Sequence, residues 1–298
     1  MAHSLRLLCL PVVVAVLVTS CGHSSSTDGR LRIVAGESPW GAIAAAIGGS
    51  KVSVVSLVAD PNTDPHSFSA RATDAALVNE ASVVIENGLG YDPYVGQLLS
   101  TGSTGPRSVV NVADVVSVHG SLANPHLWYW LDRVPRVAAA IEGAMAKRAP
   151  SAASYFESNL HRFDAKEAVL VQELNHIKLV DHGARVAETE RVAGYLLQEA
   201  GLSVVSPLGF ALAVENGTAP SFGDQTTMVN LVTSHGVKAL IYNVQTVDAV
   251  TSQLRLTADK HRVPVVGVSE VIEPQGASFI AWQQRQITDL ETALGIAS

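Results

Sequence analysis

Two sets of short, wholly apolar runs, each run followed by a helical stretch, are separated by a long segment with no strand signal. That order restricts the chain to an α/β architecture. In the first set, strands are expected at 31–34, 52–58, 82–85 and 108–112, with helices at 41–47, 70–81 and 93–99. In the second, strands are expected at 184–187, 203–206, 239–242 and 263–268, with helices at 192–200, 226–234, 247–261 and 278–294. Strands apolar on both faces and alternating with helices belong to parallel sheets covered on both sides. Gly201 directly after Ala200 is a helix stop of the expected kind.

Between the sets, after Pro150, Phe156, Leu160, Phe163, Leu170, Leu174 and Ile177 form one apolar stripe at helical spacing. A helix of this length between two α/β sets reads as a strut. The expected fold is therefore α/β, with two α/β lobes (31–150 and 181–298) of mainly parallel sheets joined by one long rigid helix within 151–180. With 47% hydrophobic residues the chain can build such cores.

Residues 1–21 read as an export signal outside the fold. Arg6 supplies the positive end, and the apolar stretch 7–18, interrupted by Pro11, is too short for a comfortable membrane span. Leu17-Val18-Thr19-Ser20-Cys21 has the form of a lipobox, in which the cysteine is acylated, for example with palmitate, and becomes the mature N-terminus. The alternative is a plain signal cleaved nearby, with Cys21 incidental. Residues 22–30, polar and Ser-rich, then form a flexible tether. The other cysteine, Cys9, lies inside the signal, so neither a disulfide nor a thiolate ligand is expected in the mature body. A net charge of −7 argues against nucleic acid as a partner.

Four side chains that suit a divalent metal lie far apart, each after an expected strand. His66 follows 52–58 in the proline-stiffened loop Asp60-Pro61-Asn62-Thr63-Asp64-Pro65-His66. His126 stands in Asn124-Pro125-His126-Leu127-Trp128, Glu190 closes the strand at 184–187 and begins the next helix, and Glu270 follows 263–268. Ligands of open parallel sheets bind beyond the carboxyl ends of the strands, so two residues from each lobe can converge on a cleft between them. Each also has a bland reading taken singly. A loop histidine is usually solvated, Glu190 would favour a helix's first turn through the dipole, and Glu270 could meet a non-metal partner.

The blocks ENGLGYDPY (86–94), NPHLWYW (124–130), ETERVAGYLLQEAGL (188–202), LIYNVQT (240–246) and VPVVGVSEVIEP (263–274), with 59–69, resemble the zinc/manganese solute-binding lipoproteins of ABC importers. The resemblance runs in order over nearly all of the mature chain. It implies two α/β lobes joined by a long helix, a metal held between them, and no enzymatic activity. His66 and His126 match the family's first two ligands, Glu190 the third and Glu270 the fourth, which is usually Asp. The implied product is a monomeric receptor on the extracytoplasmic face of the cell membrane, lipid-anchored, delivering metal to an ABC permease and its ATPase.

Two imidazoles and two carboxylates make a roughly neutral, oxygen-rich site, which suits Mn2+ slightly better than Zn2+, while imidazole also admits Fe2+. The chain has only His119 where zinc-type relatives carry a His-rich loop. Intrinsic affinity nevertheless favours Zn2+. The competing class is an extracytoplasmic metallohydrolase using the same residues, which would need a coordination position open to water. The chain has neither a His-Glu-x-x-His helix nor a Gly-x-Ser-x-Gly turn. Nothing in it argues for a surface adhesin. His161, His176, His182, His235 and His261 share no face, and Trp128 and Trp130 read as core or as a shield beside His126.

Overall fold

The computed structural model describes residues 29–62, 68–102 and 105–296. The expected export signal, Cys21, most of the tether and His66 lie outside the described residues. The first half runs β1 (Leu31–Glu37), α1 (Ser38–Gly48), β2 (Val52–Val58), α2 (Ala72–Glu80), β3 (Val83–Glu86), α3 (Pro93–Thr101), β4 (Ser108–Asn111) and α4 (Val112–Val116). Then come α5 (Val134–Arg148) and the long helix α6 (Ala153–Asp181). The second half follows as β5 (Arg185–Glu188), α7 (Gly194–Glu199), β6 (Ser203–Val204), α8 (Leu208–Glu215), α9 (Phe222–Thr233), β7 (Ala239–Asn243), α10 (Ala249–His261), β8 (Val265–Val268) and α11 (Phe279–Leu294).

Each half holds a four-stranded sheet, in the orders β2-β1-β3-β4 and β6-β5-β7-β8, and every pairing is parallel. The expected α/β class is what the chain adopts. The shared order has a consequence for ligands. The chain leaves the first strand of each sheet toward one side and then crosses to the other. A crevice therefore opens at the carboxyl edge between β1 and β3, and another between β5 and β7.

The apolar stripe of α6 explains how the halves are held. Phe156, Phe163, Leu170, Leu174 and Ile177 are all buried, and one cluster runs from Ile33 and Ile85 through these residues to Val186, Ile241 and Val266. A second cluster, with Phe210, Met228, Val232 and Leu254, seals the outer face of the second sheet under α8, α9 and α10. Glu167 lies on the same stripe and is also buried.

Several boundaries differ from those expected. Helix α1 begins at Ser38 because Pro39, with its fixed φ and missing N–H, suits the first turn. The strand expected at 203–206 pairs only over Ser203–Val204. Helix α8 had no counterpart in the periodicity, since Leu208–Glu215 is apolar on nearly every side and shows no stripe. Helix α10 starts on a reciprocal cap, in which the Asp248 carboxylate accepts from Thr251 N (2.7 Å) and Thr251 Oγ1 accepts from Asp248 N (3.1 Å). Asp248→Ala is expected to cost about 1 kcal/mol in urea unfolding; an unchanged midpoint would show that this cap contributes nothing.

Candidate metal site

Glu270 follows β8 and is fixed from three directions. Its backbone N–H and that of Val271 donate to Gln245 Oε1, at 2.6 and 2.8 Å. Asn243, at the carboxyl end of β7, donates from Nδ2 to Glu270 Oε1 (2.8 Å). Tyr91, from the first half, donates from its hydroxyl to Glu270 Oε2 at 2.5 Å. Burial, reinforced by the carboxylates of Glu270 and Glu37, pushes the Tyr91 hydroxyl well above its ordinary range, so it stays a donor.

The loop that delivers Tyr91 is built around one carboxylate. Asp92 accepts from Asn87 N (2.7 Å) and Gly88 N (2.9 Å), which folds residues 87–92 into a tight turn. Gly88, Leu89 and Gly90 all have positive φ in that turn, and glycine at two of the three positions keeps its strain low. Gly36 on β1 leaves room for the carboxylate, since a Cβ there would lie 2.7 Å from Asp92 Oδ2. Burial raises the Asp92 carboxyl to about 6, partly offset by those two backbone donors.

His126 precedes a 3-10 turn at Leu127–Tyr129 and is packed edge-on against Tyr91 and Trp128, with centroids 5.7 and 5.6 Å away. Asn124 Oδ1 accepts from His126 N (3.1 Å) and lies 2.7 Å from His126 Nδ1. An amide oxygen can only accept, so Nδ1 carries the proton, and in the neutral ring Nε2 carries a lone pair. That Nε2 faces Glu270 Oε2 at 3.2 Å, with both side chains fully buried. Two lone-pair atoms facing each other away from water are stabilised by a proton or a cation between them. This arrangement fits a metal ion.

Of the four expected ligands, the structure brings His126 and Glu270 together. Among the described residues no third His, Cys, Asp or Glu joins them at metal-binding distance. Glu190 is buried after β5, but it does not begin a helix as expected. Helix α7 starts at Gly194, because Thr189 N bonds Ile241 O (3.0 Å) and Arg191 N bonds Glu215 Oε1 (2.8 Å), holding residues 189–193 as a turn. The helix-dipole reading of Glu190 is therefore set aside. His66 is outside the described residues, but Gln245 reaches its loop, donating from Nε2 to Pro61 O at 2.9 Å. Two residues before Glu190, the buried Glu188 has its carboxyl lifted to about 8 by burial.

His119, His161, His176, His182 and His235 are exposed and His261 is half-buried, apart from this site. Trp128 is buried against His126, whereas Trp130 is half-buried and stacks on Tyr195 at 4.7 Å. Sequence reasoning did not assign Tyr91, Asn124, Asn243 or Gln245. The signal that could have found them is their position, since all four stand inside the blocks that carry the family resemblance. An open cavity of about 400 Å³, lined from both halves by Tyr91, Leu122, Pro125, Arg191 and Glu215, lies beside the pair.

A family model described as zinc-uptake complex component A, periplasmic, matches residues 33–293. A Treponema pallidum protein described as a candidate metal-binding protein is 24% identical over 213 residues, covering 65% of this chain and 66% of the relative. One from Thermotoga maritima, with the same description, is 32% identical over 75 residues, covering 25% and 26%. The chain thus spans 66% and 26% of the curated relatives it matches. Among solved structures, the Pseudomonas aeruginosa protein FpvC in complex with Mn2+ superposes with a TM-score of 0.74 at 19% identity, covering 89% of this chain and 98% of that one. The periplasmic zinc-binding protein TroA from Treponema pallidum gives 0.72 at 19% identity, covering 89% and 99%. These likenesses establish the fold.

Proposed function

The chain belongs to the family of zinc-uptake complex component A periplasmic proteins, and from that premise we propose that it is the metal receptor of an ABC importer on the extracytoplasmic face of the membrane. It captures one divalent transition metal as cargo and delivers it to a permease driven by an ATPase. The expected lipid on Cys21 tethers it near that permease. The observation that carries the reading is the buried pair in which His126 Nε2 faces Glu270 Oε2 at 3.2 Å while Nδ1 is committed to Asn124. Such a buried pair needs a proton or a cation between its atoms, and a divalent ion meets that need while using both as ligands.

The proposed ligand set is His66, His126, Glu190 and Glu270, two residues from each half. A set filled by protein donors suits a saturable receptor, whereas a hydrolytic centre keeps a position for water. Half of the donors are carboxylates, which can bind through one or both oxygens, and this tilts the preference slightly to Mn2+. Zn2+ remains the stronger binder at comparable ligands, so cellular metal supply enters the choice.

The test is element analysis of the protein purified without added metal, followed by competition between Mn2+ and Zn2+. About one metal per chain is expected, with affinity falling from pH 7.5 to 5 as protons compete for the donors. Wild-type affinity persisting in a His66→Ala/His126→Ala double variant would sink the site. Turnover of ester or peptide substrates would instead favour the hydrolase.

A further inference from the structure

Asn124 touches both halves through different atoms. Its Oδ1 accepts from the backbone and Nδ1 of His126, while its Nδ2 donates to the carbonyl of Arg191 at 2.6 Å. Arg191 directly follows Glu190 in the chain, and its side chain is held by Glu215 of the second half and reaches back to the first. Its Nε and Nη2 donate to Glu215, and Nη1 reaches Leu122 O at 3.0 Å. The Asn124 carbonyl in turn accepts from Tyr195 Oη at 3.0 Å. Gly194 makes the approach feasible, because a Cβ there would stand 3.0 Å from Asn124 Nδ2. Both ends of the amide are therefore used, and exchanging O for N would break both contacts.

We propose that Asn124 is a positioning residue that joins His126 of the first half to the backbone beside Glu190 of the second, so that metal release requires breaking the Asn124 Nδ2–Arg191 carbonyl bond. This rests on the reading of His126 and Glu190 as ligands. The acceptor end orients the imidazole toward the ion, as partners behind a metal ligand commonly do. The donor end couples that orientation to closure of the two halves. A carboxamide does both without adding charge, whereas a carboxylate here would face the Arg191 carbonyl with no proton to give.

Two variants separate the two ends. Asn124→Ala loses both. Asn124→Asp keeps an acceptor for His126 and loses the donor toward Arg191. With the full chain in detergent micelles and Zn2+ alone as the probe, Asn124→Ala is expected to raise Kd about 10- to 100-fold. Asn124→Asp should lose less affinity but release Zn2+ to a chelator at least about fivefold faster than wild type. Hydrogen exchange on the metal-free proteins supplies a readout that simple loss of packing would not produce. The His126 amide should exchange faster in Asn124→Ala and stay protected in Asn124→Asp. Gly194→Ala, pressing on Asn124 from the other side, should speed release as well.

Wild-type release rates in both Asn124 variants would overturn the proposal. So would identical losses in the two variants, with identical exchange at His126. If the wild type binds no Zn2+, the ligand reading falls by itself. The claim about release falls with it, while the metal-free exchange separately tests the hold of Asn124 on His126, and an unchanged His126 amide in Asn124→Ala overturns that hold.

Discussion

Glu270→Ala is expected to weaken binding of Mn2+ and Zn2+ by about a thousandfold, roughly 4 kcal/mol, while the protein still folds. The carboxylate is buried, faces His126 Nε2, and is held by Asn243 and Tyr91. Its removal takes away a negative donor whose orientation is already fixed in the folded chain. Fold stability should change much less. Two donors lose their acceptor, at about 1–3 kcal/mol each, but the cost of burying a charge disappears with it. Glu270→Gln, of equal size, should lose most of the same affinity because the charge is gone. Titration calorimetry with each metal, alongside thermal unfolding without metal, separates the two effects. A loss under fivefold in Glu270→Ala would remove Glu270 from the site.

The second large effect concerns the linking helix. Glu167 is 3% exposed on the stripe of α6 that otherwise carries Phe156, Phe163, Leu170, Leu174 and Ile177. Burial, helped by the charges of Glu199, Asp164 and Asp132, lifts its carboxyl to about 8. Nearby Glu199 accepts from the backbone N–H groups of Leu131 and Asp132 and is raised to about 7, again by burial first. An acid with a folded value above its unfolded value binds its proton more tightly in the native state. Its stabilising contribution is full below the unfolded value near 4.5 and is lost as pH rises toward 8. Stability should therefore decline from pH 5 to pH 9. Glu167→Gln, neutral throughout, should match wild type at pH 5 and exceed it at pH 9 by on the order of 3 kcal/mol. Denaturant unfolding at the two pH values checks this, and parallel pH profiles would contradict it.

These residues also show where sequence reasoning reaches and where it stops. The run 52–58 reads directly as β2, and the stripe after Pro150 reads as α6, because burial on both faces or along one face leaves a periodic apolar mark. Glu167 leaves no such mark. A glutamate at helical spacing looks like a solvated residue until the packing around α6 is known. The apolar pattern that resumes at Val192 predicts a helix beginning at Glu190, whereas the helix starts at Gly194. The turn at 189–193 is instead held by Glu215 and Ile241, distant residues that no local window contains. His126 and Glu270 stood out as metal-binding chemistry, but Tyr91, Asn124, Asn243 and Gln245 did not. Neutral amides and a phenol become informative only through the atoms they face.

What the chain's order of residues determined by itself is the set of α/β units, the long strut between them and the kinds of donor atoms at the ends of strands. Hydrophobic periodicity and side-chain chemistry are local properties, so these could be read position by position. Which donors meet was decided only when two sheets of the same strand order turned their carboxyl edges toward each other. The contact between His126 and Glu270 joins residues 144 apart in sequence, and such a distance closes through packing of the whole chain, not through any local preference.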